Sequence, residues 1–328
     1  MSGYICRSCG KEYPLHTLEY KCSCGGLFGL EAVRKSFDFG QKLPPSEVSL
    51  WRYSDVLPFS NAEGMTLTLG EGMTSLISIE NGLFGKADYY MPTLSFKDRG
   101  AVMLVLLAKK LGFHRLAIDS SGNAATAVAA YSARADIQCA VFVPEGTSQK
   151  KLTQIKAHGA KINVMDGSRE ATGVAAREFV AMSGAFYASH IYNPFFYEGT
   201  KTYFYEVFEQ MGMRFPDGFI IPIGNGTLVL GAALAFSELQ RQGLIEKWPK
   251  IAGVQAEGCN PVYKAFKEGK NKVEAVINKG TIAEGIAIAA PARGKEILDI
   301  IKQSGGEILS IDDDDTQSAR KLLADRKS

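Results

Sequence analysis

Two close pairs of cysteines open the chain, Cys6-x-x-Cys9 and Cys22-x-Cys24, each followed by glycine. Thiolates carried on two knuckle-like turns can converge on one zinc ion, and bound metal then supplies folding energy to a segment too short for a core. The second pair has a single intervening residue, tighter than the usual spacing, so a metal-free ribbon of reduced thiols is the alternative reading. Cys139 and Cys259 stand apart in apolar surroundings. Further on, Lys97 lies between Phe96 and Asp98, beside Arg99 and just ahead of an apolar run. A lysine attacks aldehydes when desolvation or a nearby cation holds its amine unprotonated, although most lysines are simply solvated surface charges. Two small-residue turns could bind anions. Ser120-Ser121-Gly122-Asn123 precedes an alanine-rich segment, where backbone amides at a helix start suit a carboxylate. Gly224-Asn225-Gly226-Thr227-Leu228 follows the apolar run 220–223 and forms a backbone nest suited to phosphate. It lacks the Gly-Lys-Ser/Thr ending of a P-loop, and its third glycine falls too late for a dinucleotide fingerprint.

These groups must be held by regular elements, and the pattern supplies them. Residues 1–30 form the cysteine ribbon, and 31–60, with Pro44, Pro45 and Pro58, read as a connecting arm. After residue 65 short apolar runs alternate with longer helical stretches. Helices are predicted after Arg99 with Gly112 as C-cap, from near Asn123, from about Ser148 and after Arg169. Strands are predicted at 116–118, 140–143 and 162–164. A second series gives helices at 202–210 and 228–240 and strands at 219–223 and 251–255. Repeated strand–turn–helix units argue for parallel sheets covered by helices, hence an α/β protein of two doubly wound domains with a cleft between them. The expected division is 1–30 as ribbon, 31–105 with 195–328 as the large domain, and 106–194 as the small one. Asp312 to Asp315 read as the acidic start of a helix.

Composition sets the class of protein. The 328 residues are 46 % hydrophobic and 22 % charged, as in a globular protein, and 37 Lys and Arg against 35 Asp and Glu leave a net charge of +2. That charge is too small to point to nucleic acid or an anionic membrane. No run reaches the roughly 18 apolar residues of a membrane span, and the amino terminus lacks a signal-peptide core, so a cytoplasmic protein is expected. The four histidines, His16, His114, His158 and His190, fall in separate segments without a metal or triad pattern. His190, just before an Asn-Pro dipeptide, is the one singled out.

A candidate nucleophilic lysine, an anion-binding Ser-Ser-Gly-Asn turn and a separate phosphate nest occur together in order along the chain. PTLSFKDRG (92–100), DSSGNAATAVAAYSARA (119–135), YNPFFYEGTKT (192–202), IPIGNGTLVLG (221–231) and GVQAEGCNP (253–261) carry a resemblance to a known group. The chain resembles the pyridoxal-phosphate enzymes of the tryptophan-synthase-β fold (fold type II), and within them threonine synthases and their paralogues. Some threonine synthases carry a similar cysteine ribbon. The resemblance implies pyridoxal 5'-phosphate held as a Schiff base on Lys97, with Lys97 also shuttling the substrate α-proton. It implies Asn123 on the ring 3'-oxygen and Gly224, Asn225, Gly226, Thr227 and Leu228 on the cofactor phosphate. Thr93, Ser120, Ser121, Gly122 and Asn193 would face the amino-acid substrate, and Cys6, Cys9, Cys22 and Cys24 would hold structural zinc. It implies a carbon–oxygen lyase of threonine biosynthesis, converting O-phosphohomoserine to threonine and phosphate, and a homodimer.

Several positions depart from the pattern. Leu94 stands where glycine is usual, and Phe196 and Ala287 stand where arginines would grip a substrate phosphate in paired hydrogen bonds. Arg99, Arg169, Arg293 and Lys201 are the cations left to compensate. The sequence stops at Ser328, where the family continues into a strand–helix unit and a terminal strand with Ser or Thr beside the ring nitrogen. Two other readings therefore stand beside the first: a serine or threonine dehydratase or β-replacement enzyme of the same fold, and a binding protein that retains the fold without full catalysis.

Overall fold

The computed structural model describes residues 3–31, 36–40, 48–167 and 169–325. They form two compact units, residues 1–73 with 88–202 and residues 74–87 with 203–328. The boundary differs from the sequence expectation. Of 31–105, expected with the carboxyl-terminal half, only 74–87 falls there; 88–105 and 195–202 fall in the first unit, where the helix that starts at Lys97 packs on other helices of that unit.

The first unit starts with the ribbon, three short antiparallel strands β1 (Tyr4–Cys6), β2 (Glu12–Tyr13) and β3 (Phe28–Leu30) in the order β2-β1-β3. It has a small aromatic stack rather than no core: Phe28 lies 5.3 Å from Tyr4 and 4.8 Å from Tyr13 between ring centroids. In the connecting arm Pro44 and Pro45 lie outside the described residues, but 50–56 form 3-10 turns that bury Leu50, Trp51 and Tyr53. A short helix, α1 (Asn61–Met65), follows with a Ser60/Glu63 capping box.

A hairpin of the second unit, β4 (Leu76–Glu80) with β5 (Leu83–Lys86), interrupts the chain before the α/β part begins. That part runs α2 (Lys97–Lys110), β6 (Arg115–Asp119), α3 (Asn123–Ala135), β7 (Gln138–Pro144), α4 (Gln149–Ala157), β8 (Lys161–Met165), α5 (Arg169–Ser183), β9 (Phe186–Tyr187) and α6 (Phe195–Thr200). The four strands are parallel in the order β8-β7-β6-β9, and β6 and β7 are buried through their centres, as strands covered on both faces must be. α2 is buried almost all round, from Asp98 to Ala108, between α3 and α6. Buried Glu71 fastens the arm to α3, accepting from Trp51 Nε1 at 2.8 Å and Tyr131 OH at 2.9 Å.

The second unit continues with α7 (Thr202–Gln210), which begins at the last residue of the first, then β10 (Gly218–Pro222), α8 (Thr227–Arg241), β11 (Lys250–Ala256), α9 (Pro261–Lys267), α10 (Gly294–Gln303), β12 (Glu307–Ile311) and α11 (Asp313–Asp325). Its sheet is parallel, β10-β11-β12. Phe204, Phe215, Phe219 and Phe236 form its aromatic core, with centroids 5.0 to 5.7 Å apart. The hairpin is fixed to α7 by a buried Lys86–Glu206 pair at 2.6 Å. The aspartate run does open a helix: Asp313, Asp314 and Asp315 lie in the first turn of α11. Among the described residues no helix is long and apolar enough to cross a membrane.

Candidate active site

Lys97 is the first residue of α2, and its neighbours explain its chemistry. Its Nζ lies 4.0 Å from the Phe96 ring centroid and 5.9 Å from that of Phe196. Both rings attract a cation, yet the loss of water around the half-buried amine dominates and brings its pKa down to about 7. A substantial share of the amine is therefore the free base at neutral pH. Phe196 reaches this position because residue 100 is glycine, where a Cβ would come within 2.5 Å of the phenylalanine ring. Phe196 also meets the buried His190 ring, 5.8 Å away edge to face. Burial, and then the positive charges of Lys97 and Arg169, hold this imidazole neutral, well below its ordinary pKa. Sequence spacing could not show that His190 and Lys97 share a ring.

The rest of the lysine loop is tightly ordered. Thr93 donates its backbone N–H (2.7 Å) and hydroxyl (2.6 Å) to buried Asp98, whose pKa burial raises to about 6. Sequence reasoning passed over Asp98, although a carboxylate five residues after a threonine in a sharp loop was visible. Leu94 sits at φ 64, the left-handed region in which glycine is at ease, which gives the usual glycine there its physical reason. Arg99 is buried on Asp88 through two 2.9 Å bonds, Lys201 on Glu198 at 2.6 Å, and Arg293 pairs with Glu296 at 2.8 Å. Three of the four compensating cations thus hold structural partners. Arg169, exposed at the start of α5, exerts its charge on Asp119 and His190.

The second cluster of the first unit is the β6–α3 turn. Gly122, rather than a serine, occupies the N-cap position, and no side chain caps α3. Ser120 Oγ instead accepts from the Gly122 N–H at 3.3 Å, and Asn123 stands exposed at the first helical position. A helix start left uncapped by side chains suits an external anion better than a simple cap would. Asn193, expected to face the substrate, donates its Nδ2 to Tyr4 OH at 3.1 Å and accepts at Oδ1 from Phe195 N at 3.1 Å, so both ends of its amide make contacts within the protein.

In the second unit the glycine turn joins β10 to α8. Gly226, at φ 70, is the N-cap of α8, again with no side-chain cap. A Cβ there would lie 2.3 Å from Ile297 Cδ1 and one on Gly224 3.1 Å from the Ile288 side chain, so a side chain at either position would have to displace an isoleucine, and at Gly226 would also sit in the strained left-handed region. A cavity of about 670 Å³ in the same unit, bordered by Phe84, Tyr203 and Ile220, includes none of the residues singled out from the sequence.

The ribbon brings its cysteines to one point. The four sulfurs lie within 4.8 Å of one another, with Cys6–Cys24 and Cys9–Cys22 at 3.6 Å and Cys9–Cys24 at 3.5 Å. Zinc–sulfur bonds of about 2.3 Å set tetrahedral sulfur–sulfur edges of roughly 3.8 Å, so the set fits one tetrahedral ion. Gly10 and Gly25, at φ 74 and φ 83, turn the two knuckles. Backbone N–H groups of Ser8 and Gly26 point at Cys6 and Cys24 from 3.4 Å, and the Tyr13 hydroxyl, donating at 3.3 Å, draws Cys22 down to about 6.

Comparison with known proteins agrees with this chemistry. A family model described as pyridoxal-phosphate dependent enzyme matches residues 67–328. The chain belongs to this family. The threonine synthase of Methanocaldococcus jannaschii is 33 % identical over 332 residues, covering 97 % of this chain and 81 % of that protein. Threonine synthase from Methanosarcina acetivorans is 32 % identical over 97 % of this chain and 80 % of its own length, and the one from Mycobacterium tuberculosis 34 % identical over 83 % and 75 %. Among solved structures, a serine racemase from Dictyostelium discoideum (TM-score 0.66, 22 % identity, 77 % of this chain and 80 % of that one) shares the fold. So does a Rhizomucor miehei L-serine ammonia-lyase (TM-score 0.67, 21 % identity, 77 % and 80 %). The fold is that of the tryptophan-synthase-β-like, fold type II pyridoxal-phosphate enzymes. The residues present fit the cofactor: a desolvated lysine amine for its aldehyde, and a glycine-lined helix start for its phosphate.

Proposed function

We propose that the protein is a carbon–oxygen lyase of threonine-synthase type, forming threonine and phosphate from O-phosphohomoserine and water, the phosphate leaving Cγ and the water oxygen adding at Cβ. The observation that carries this reading is the Lys97 amine, lowered to about 7 inside a chain whose 33 % identity to a threonine synthase extends over 97 % of its length. In this reading Lys97 holds pyridoxal 5'-phosphate covalently, Asn123 meets its 3'-oxygen, and the amides of 224–228 hold its phosphate. The bound cofactor supplies an electron-withdrawing ring that stabilises negative charge on the substrate Cα.

The chain's own groups do the rest. Lys97 Nζ, available as free base near neutrality, takes the substrate α-proton and returns it. Ser120, Ser121 and Gly122, at the uncapped start of α3, receive the α-carboxylate, and Thr93, locked onto Asp98, shapes that side. Asn193 contributes by fixing the path of the backbone into α6. Phe96 and Phe196 exclude water from the amine, and Arg169 is the exposed cation available to a substrate phosphate. The same reading takes the thiolate set as structural zinc, the protein as cytoplasmic and the assembly as a homodimer.

The test is a substrate panel on cofactor-loaded protein. Release of phosphate from O-phosphohomoserine in step with threonine formation is expected. Keto-acid formation from serine or threonine, with no phosphate released from O-phosphohomoserine, would contradict it.

A further inference from the structure

The ribbon touches the rest of the first unit through two tyrosines, each two residues ahead of a cysteine pair: Tyr4 before Cys6 and Tyr20 before Cys22. Tyr4 is stacked on Phe28 within the ribbon, and its edge meets Phe195 at 6.2 Å. Its hydroxyl accepts from Asn193 Nδ2 at 3.1 Å. Asn193 and Phe195 lead directly into α6, whose Phe196 walls the Lys97 amine. α6 has no slack against α2: a Cβ on Gly199 would lie 1.8 Å from Arg99 O, and one on Gly100 2.5 Å from the Phe196 ring.

Tyr20 makes the second connection. Its ring meets Tyr192 at 4.9 Å and Tyr187 at 6.2 Å, with the Arg177 guanidinium 4.9 Å above it. The Tyr187 hydroxyl donates to Asp119 Oδ1 at 2.7 Å, and Asp119 ends β6 where the Ser120–Gly122 turn begins. One small ribbon therefore reaches both site segments of its unit, Tyr4 through Asn193 and Phe195 and Tyr20 through Tyr187 and Tyr192.

We propose that the ribbon is a two-pronged brace: with one soft divalent metal ion on Cys6, Cys9, Cys22 and Cys24, Tyr4 fixes the wall of the Lys97 pocket and Tyr20 fixes the anion-binding turn. Tyr4, Tyr20, Tyr187 and Asn193 are positioning residues in this account. The metal sets the spacing of two knuckles that carry the tyrosines, and densely packed contacts transmit that spacing. The contacts belong to the protein itself, so the proposal holds whichever amino acid is the substrate; it rests on the functional reading only in taking Lys97 as the reactive amine.

Hydrogen exchange read by mass spectrometry on the full chain without cofactor, with zinc bound or removed by a chelator, tests it. Zinc removal is expected to speed exchange in both 115–122 and 191–200 by roughly tenfold while 227–241 is unchanged, since local opening free energies fall where anchoring contacts are lost. Tyr4→Phe, which deletes one oxygen and keeps the stack, is expected to loosen 191–200 and leave 115–122 unchanged, whereas Tyr20→Leu, which loses the Tyr187 and Tyr192 rings together, is expected to loosen 115–122 as well as 191–200. The visible circular dichroism of the cofactor-loaded Tyr4→Leu protein is expected to change, with Tyr4→Phe partly restoring it. Failure to bind one zinc per chain would overturn the proposal, as would faster exchange confined to 3–31. Labelling of Lys97 by cofactor and borohydride reads the functional assignment separately, so failure of one does not imitate failure of the other.

Discussion

Lys97, a residue type usually charged at the surface, has its amine pKa held near neutrality by burial. Its pKa falls because burial against Phe96 and Phe196 penalises the charged form, so the fraction of free base grows as pH rises through about 7 instead of 10.5. The rate at which the cofactor-free protein reacts with pyridoxal 5'-phosphate, followed by visible absorption, is expected to rise with a midpoint near pH 7. Replacing Phe196 with serine admits water and is expected to move that midpoint upward. Leu94 gives a second prediction at this scale. A non-glycine residue at φ 64 costs roughly 1–2 kcal/mol, and glycine's freedom in the unfolded chain takes back about 0.5–1 kcal/mol. Leu94→Gly is therefore expected to raise stability by up to about 1 kcal/mol, seen as a higher melting temperature of the cofactor-free protein.

At the scale of elements, α3 and α8 both begin at a glycine N-cap with no side-chain cap, and the proposed function places its anion binding there. Gly226→Ala would set a Cβ 2.3 Å from Ile297 Cδ1 at φ 70. A loss of about 1–3 kcal/mol in stability is expected, together with cofactor affinity at least tenfold weaker by titration. The helices α2, α3 and α8 and the strands β6, β7, β10 and β11 were legible in the sequence because the strands, buried through their centres in β6 and β7 and half-buried in β10, read as short apolar runs between glycine turns and helical stretches. The positions of Lys97 and of the 120–123 and 224–228 turns at helix starts were legible too, since the alternation locates those junctions. α6 was not, because an aromatic run after Asn193-Pro194 has no helical period, and its seat depends on Gly100 and Gly199 approaching distant chain. Neither was the double engagement of Asn193, nor the meeting of His190 and Lys97 at Phe196, since contacts between remote segments leave no local pattern.

Over the whole molecule, Lys97 and the 120–123 turn lie in the first α/β unit and the 224–228 turn in the second. The ribbon adds a thiolate site whose sulfur spacing matches a tetrahedral ion, and it is joined to the first unit by aromatic contacts rather than by a linker alone. Borohydride reduction of the protein after incubation with pyridoxal 5'-phosphate, followed by peptide mass mapping, tests the central assignment most directly. One pyridoxyl group on the peptide containing Lys97, absent in Lys97→Ala, is the predicted result; a label on another lysine, or none in the wild-type protein, would contradict it.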